Sequence, residues 1–324
     1  FLLTINGTNI GNYKFEISEI PIINITKLDS PNYLFVYLNM MLVKPGTYDI
    51  TLTNNDSKYI IPYEIRSLRD PKPRTFDSSD VVYLIMPDRF SDGNISNDNI
   101  PMKYPYTVNR ADPDARHGGD LLGIQNHLDY LQELGVTSLW LTPIIENDAN
   151  GGSYHGYAAT DMYHVDPRFG SNTDYVTLVS ECHKKGIKMI QDIVFNHISS
   201  EHPWMKDPPT PDFFNYYDKF TQTQNDLTTS FSPYASDYDK DIFTKGWIVE
   251  SMPDLNQRNP FLARYLIQVS KFWIEYADID GIRQDTYPYA FSEFMASWGK
   301  ELIEQYPDFN VVGETFRTNP AASS

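Results

Sequence analysis

The sequence predicts an α/β protein in which a small all-β sandwich precedes a parallel sheet built from repeated βα units, open or closed. Three observations lead there. Residues 1–69 read as β throughout, with short apolar runs separated by close turns. A Pro-rich, charged stretch follows, Asp70-Pro71-Lys72-Pro73-Arg74, with the composition of a domain boundary. Beyond it, from 70 to 324, apolar strands alternate with amphipathic helices, the pattern of a parallel sheet.

In the first part Phe35, Tyr37 and Leu38 share one apolar run and Tyr48, Ile50 and Leu52 alternate in the next. Lys44-Pro45-Gly46 turns the chain between them, and strands of this length suit a sandwich. Residues 81–86 give the first buried strand of the second part. Residues 121–134 have helical spacing, with Ile124, Leu128, Leu131 and Leu134 on one face. The second strand is 138–141, and a helix around 175–185 leads to the third, 188–194. An insertion from about 198 to 259, rich in Pro, Asp and Tyr, is too long for a simple βα loop and reads as a lid or small subdomain. A helix over 261–276 feeds a fourth strand that runs into Asp285, and a helix around 294–303 precedes the fifth, 310–312. Five strands do not make an eight-stranded barrel, and nothing after Ser324 supplies the other three.

At 324 residues the chain is too long for one small core, which fits two domains. Its formal net charge of −17 argues against nucleic acid, which demands a basic face, and suits neutral sugars or divalent cations. The single cysteine, Cys182, allows no intrachain disulfide and reads as a small buried hydrophobe on a helix. No apolar run approaches the roughly 20 residues a membrane helix needs. The chain begins at Phe1 with no basic-then-apolar leader, so a removed leader and a boundary placed inside a longer chain both fit. A periplasmic or secreted location is expected, with the cytoplasm left open.

Five short motifs carry chemistry. Arg283 and Asp285 lie two apart on a strand and so point to one side; the guanidinium would keep the carboxylate ionised, as a nucleophile requires, or form a plain structural pair. Glu314, after Gly313, ends the next strand, where a raised pKa would let it protonate a leaving oxygen. Gly313 would let the chain approach a ligand closely. Asp192-Ile193-Val194-Phe195-Asn196-His197 closes the third strand; Asp192 could orient Arg283 and His197 could bond a sugar hydroxyl. Tyr154-His155-Gly156-Tyr157 offers flat rings for pyranose stacking, or simply packing. Asp92-Gly93-Asn94-Ile95-Ser96-Asn97-Asp98 places oxygen donors around a glycine turn, like a calcium loop or an Asx-rich turn.

Taken in chain order, at the ends of successive strands, the motifs resemble glycoside hydrolase family 13, the α-amylase family, from about Val81 to Phe316. Asp192–His197 looks like its first signature region, Gly281–Asp285 its second and Gly313-Glu314-Thr315 its third. Met252-Pro253-Asp254-Leu255-Asn256 looks like its inserted-domain marker, in a form close to the neopullulanase–cyclomaltodextrinase group. The resemblance implies a (β/α)8 TIM barrel, with only about its first five strands present, behind an immunoglobulin-like sandwich. It implies retaining hydrolysis of α-1,4-glucosidic bonds in starch, pullulan or cyclodextrins through a covalent glycosyl-enzyme, the carboxyls about 5 Å apart. Asp285 would be the nucleophile, Glu314 the acid/base, and Arg283 and Asp192 a supporting pair. His155, Tyr157 and His197 would hold the sugar. A calcium ion would draw on Asp92, Asn94, Asn97, Asp98, Asp120 and the carbonyl of Gly118.

Two departures stand out. Many relatives carry a His four residues after the nucleophile, at a second calcium site; here that position is Tyr289, and no second calcium is assigned. The family's seventh-strand His-Asp pair is missing, so the 324 residues are expected to be part of a longer protein and poorly active alone. A non-catalytic glycan-binding or partner subunit is the alternative, set against the survival of Asp285, Glu314, Arg283, Asp192 and His197. A third reading, a metal-dependent sugar isomerase, would need a convincing cluster of acidic and His ligands at the strand ends, which the sequence does not offer, although fold alone leaves that chemistry open. The sandwich has no Trp, and a structural or homodimer-forming role is favoured for it over starch binding.

Overall fold

The structure is a computed structural model that describes residues 1–68 and 75–315; the expected boundary at 70–74 lies outside the described residues, as does everything after 315. Packing divides them into two compact units, one of 1–68 with Pro203–Phe213, the other of 75–202 with 214–315.

The first unit has six strands, β1 (Leu2–Asn6), β2 (Lys14–Ile17), β3 (Ile22–Lys27), β4 (Tyr33–Leu38), β5 (Gly46–Thr53) and β6 (Lys58–Ile65). They form two antiparallel sheets, ordered β1-β4-β3 and β2-β5-β6. Alternation explains the core: Leu34, Val36 and Leu38 point inward from β4 to meet Phe15, Ile50 and Leu52. The other face of β4 is also buried, with Tyr33 and Phe35 at 3% and 2% exposure. Residues 203–213 cover it. The Tyr33 hydroxyl donates to the Asp207 carbonyl at 2.9 Å and the Asn32 amide to Asp207 Oδ2 at 2.7 Å. The Phe35 and Phe213 rings sit 6.5 Å apart. Burying Phe35 alone is worth roughly 2–3 kcal/mol. Part of what the sequence presents as one insertion therefore packs with the sandwich strands.

The second unit opens with β7 (Val82–Ile85) and α1 (Pro87–Phe90), then α2 (Leu121–Gln125) and α3 (Leu128–Glu133). β8 (Ser138–Leu141), a short ribbon of β9 (Ile145–Glu146) and β10 (Asp161–Val165), α4 (Asn172–Lys184) and β11 (Lys188–Ile193) follow. The insertion contributes α5 (Thr228–Phe231) and α6 (Asp237–Lys245). Then come α7 (Pro260–Ala277), β12 (Gly281–Gln284), α8 (Ser292–Gln305) and β13 (Asn310–Gly313). Five strands pair in parallel in the order β13-β12-β11-β8-β7, the five expected.

Caps explain the crossover helices. Ser171 and Asp174 form a reciprocal capping box on α4. Asn259 caps α7 at Phe261 N and Leu262 N, with Pro260 in its first turn. α7 buries Leu262, Leu266, Trp273 and Ile274 and ends at Asp278, whose left-handed φ of 64° turns the chain into β12. Two expectations fail locally. The helix over 121–134 breaks at His127 (φ −111°, ψ 13°), whose Nδ1 lies 2.7 Å from the Gly123 carbonyl. The break resets the helical phase, so Ile124, Leu128 and Leu131 are buried but Leu134 is 52% exposed. Val82 and Leu84 on β7 are 43% and 50% exposed, and among the described residues β7 pairs with β8 alone. Among the described residues no helix is long and apolar enough to cross a membrane.

Candidate active site

Parallel register sets the site. Asp192 on β11 lies level with Arg283 on β12, which lies level with Val312 on β13. Gln284 pairs with Gly313, so the next residues, Asp285 and Glu314, leave adjacent strand ends side by side. Arg283 holds the group together. Its Nη1 donates to Asp192 Oδ1 and Oδ2 at 2.9 and 3.1 Å and to Asp285 Oδ1 at 2.6 Å. Its Nη2 lies 2.7 Å from Glu314 Oε1. One guanidinium thus touches all three carboxylates, and the two outward ones are separated by no more than its fork and two hydrogen bonds.

Burial grades the three. The side chains of Asp192, Asp285 and Glu314 are 0%, 8% and 40% exposed. Burial pushes Asp192 up to about 7 against the pull of Arg283. Trp140 Nε1 and the Tyr157 hydroxyl also donate to Asp192 Oδ2, at 3.0 and 3.1 Å. Both rings flank the guanidinium, at 5.1 and 5.8 Å from its carbon. Burial works against the charge on Arg283, but Asp192 and Asp285 outweigh it and raise its pKa. Burial beside Asp192 keeps the Tyr157 phenol protonated.

Thr286 links the two outer carboxylates. Its hydroxyl donates to Asp285 Oδ2 and its N–H to Glu314 Oε2, each at 2.9 Å. Its φ is +45°, a left-handed conformation rare for a β-branched residue and worth about 1–3 kcal/mol of strain. The turn that follows closes by a 3.0 Å bond from Tyr289 N to the Thr286 carbonyl. Tyr289 then stacks on Phe243 of α6 at 4.6 Å and reaches Asn225. Gly313 packs closely: a Cβ there would stand 2.7 Å from the Tyr287 ring.

His197 is 2% exposed, with Nε2 3.1 Å from the Tyr157 carbonyl. His155 Nδ1 accepts the Tyr157 N–H at 2.9 Å. These two imidazoles fix Tyr157 from both sides. The marker at 252–256 returns to the same strand end, where Asp254 pairs with His197 and Leu255 N donates to the Asn196 carbonyl. Burial lowers His155 and His197 to about 4. A depressed histidine stabilises the fold fully above its unfolded pKa, near 6.5, and loses that contribution as pH falls through 4. Replacement His197→Gln is therefore expected to flatten the loss of stability between pH 7 and pH 4, read from urea midpoints; parallel curves would contradict it.

In the loop at 92–98 the oxygens divide into two groups. Asp120 caps α2 at Gly123 N (2.6 Å) and accepts Gly93 N, Asn94 N and the Asn97 amide, which fills its lone pairs. Asn94 Oδ1 is spent on Ser96, through both its N–H and its hydroxyl. Asp92 Oδ1, Asn97 Oδ1 and Asp98 Oδ1 are buried without a hydrogen-bond partner. Gly118, at φ +85°, faces Asp98: a Cβ there would meet Asp98 Oδ1 at 2.6 Å. Burial, then neighbouring Asp92, raises the Asp98 pKa. Among the described residues no three His, Cys, Asp or Glu side chains cluster as metal ligands. The loop offers two carboxylates and an amide oxygen.

Residues 84–323 match the model of the α-amylase catalytic domain, and residues 2–69 that of the cyclomaltodextrinase N-terminal domain. The chain belongs to the α-amylase family. Within that family it is 34% identical over 243 residues to the intracellular maltogenic amylase of Bacillus subtilis, covering 74% of this chain and 38% of that protein. It is 35% identical over 235 residues to the cyclomaltodextrinase of Geobacillus thermopakistaniensis, covering 72% and 38%. The α-amylase crystal structure from Anoxybacillus superposes with a TM-score of 0.64 at 38% identity, over 74% of this chain and 48% of that one. The chain therefore spans well under half the length of the curated relatives it matches.

The residues singled out at the three strand ends of this α-amylase-family domain come together, with Asp192, Arg283 and Asp285 buried and Glu314 more exposed. His155 and Tyr157 stand beside them. Two partners escaped the sequence reading. Trp140 gave a signal in retrospect, an indole N–H near the end of an apolar strand that needs an acceptor. Thr286 gave none, because its role depends on a backbone angle.

Proposed function

We propose that the protein to which this chain belongs hydrolyses α-1,4-glucosidic bonds of α-glucans with retention of configuration. Asp285 attacks the anomeric carbon as Glu314 protonates the departing glycosidic oxygen. Glu314 then takes a proton from water, which displaces Asp285 from the glycosyl-enzyme. The observation that carries this reading is the single guanidinium of Arg283 bridging Asp285 and Glu314 on adjacent strand ends. Asp192 holds Arg283 from below, and Tyr157 gives a pyranose ring a flat face. Starch, pullulan and β-cyclodextrin incubated with the whole protein, with the first product followed by proton NMR, test it. Release of the α-anomer is expected; the β-anomer, or no cleavage of any of the three, would sink the reading.

Calcium belongs to the same proposal. Asp92, Asn97 and Asp98, with three partnerless buried oxygens, suit a hard cation, with Gly118 packed close against Asp98, while Asn94 and Asp120 shape the loop. The ion would brace the start of α2 rather than touch sugar. Chelation is expected to lower the thermal midpoint by several degrees (~1–2 kcal/mol), with calcium restoring it and magnesium failing to. A midpoint indifferent to chelator would remove calcium from the account.

A further inference from the structure

We infer that Thr286 is a positioning residue that sets the nucleophile and the acid/base relative to each other. This rests on the assignment of Asp285 and Glu314 above. Each oxygen of Asp285 holds one donor, Oδ1 from Arg283 and Oδ2 from the Thr286 hydroxyl. The N–H of the same Thr286 holds Glu314 Oε2. A residue that donates to one carboxylate through its side chain and to the next through its backbone adds a second link between them, at their other oxygens, beside that of Arg283. The left-handed φ of +45° aims the two donors apart, toward neighbouring strand ends. A β-branched residue keeps this conformation only when its surroundings enforce it. Here Asp285 N is tied to the Ile193 carbonyl on one side and Tyr289 N to the Thr286 carbonyl on the other. The hydroxyl therefore steadies the ionised nucleophile, and the backbone N–H keeps Glu314 at the leaving oxygen.

The test compares Thr286→Val, which keeps the shape and loses the hydroxyl, with Thr286→Ser, which keeps the hydroxyl and sheds the branch. In the whole protein acting on maltoheptaose, Val is expected to lower kcat about tenfold, the worth of one hydrogen bond to a charged group, with KM unchanged. The acidic limb of its pH profile should move upward, because the Asp285 carboxylate has lost one of its two donors, while the basic limb stays in place. Ser should keep kcat and both limbs near wild type. Wild-type kcat and limbs in Val would overturn the inference, and so would equal losses in Val and Ser, which mark a merely structural role; should Val fail to fold, the Ser result decides. Wild type and Asp285→Asn run alongside. If they hydrolyse equally the underlying assignment has failed, whereas an inactive Asp285→Asn beside an unaffected Thr286→Val removes only this proposal.

Discussion

Asp285→Asn in the whole protein is expected to lower kcat on α-glucans by more than about a thousandfold, the scale seen when a covalent nucleophile is removed. The fold should tolerate it. Asn has nearly the same size, its amide oxygen can still accept from Arg283 Nη1, now 2.6 Å from Asp285 Oδ1, and the Thr286 hydroxyl can rotate to accept instead. Loss of activity at an unchanged thermal midpoint is thus a loss of chemistry. Hydrolysis at the wild-type rate would take the nucleophile's role away from Asp285.

Arg283→Leu should damage both stability and activity. Removing the guanidinium leaves Asp192, with a fully buried side chain, beside Asp285 and Glu314 with no cation among them. Breaking a buried pair by deleting one partner typically costs about 3–5 kcal/mol. The pH dependence has a definite sign. Burial already holds Asp192 at about 7, above its unfolded value of roughly 3.9, so its contribution is complete below the lower value and lost as pH rises through the upper. Without Arg283 that raised window extends further upward. Urea midpoints should show the variant's deficit largest at pH 8 and shrinking toward pH 5. A deficit equal at both would mean that lost packing against Trp140 and Tyr157 dominates. Arg283→Lys should be intermediate, because an ammonium lacks the fork that reaches two strand ends.

The strand-end chemistry was legible because period-two alternation and parallel register are both local. Arg283 and Asp285 share a face two residues apart, and their neighbours follow from which strand comes next. The five parallel strands were legible for the same reason. Other features depend on contacts between distant residues. Nothing in the run from Leu121 to Leu134 announces that His127 will bond back to Gly123 and break the helix. Nothing around Gly313 announces that Tyr287 will pack against it. The donor pair of Thr286 requires a positive φ that the residue type argues against. In the calcium-type loop the sequence marks oxygen-rich positions but not which oxygens are already spent; Asn94 and Asp120 separate from Asp92, Asn97 and Asp98 only through their hydrogen bonds.

The covering of β4 by Pro203–Phe213 bears on how the chain matures. Domains generally complete themselves in the order in which they leave the ribosome. Here Tyr33 and Phe35 stay uncovered until Phe213 has emerged, long after the last sandwich strand has been made. The sandwich strands are thus made well before the face they share with residues 203–213 can be covered. A nascent chain halted before residue 203 would carry an exposed aromatic face, the kind of surface that chaperones hold.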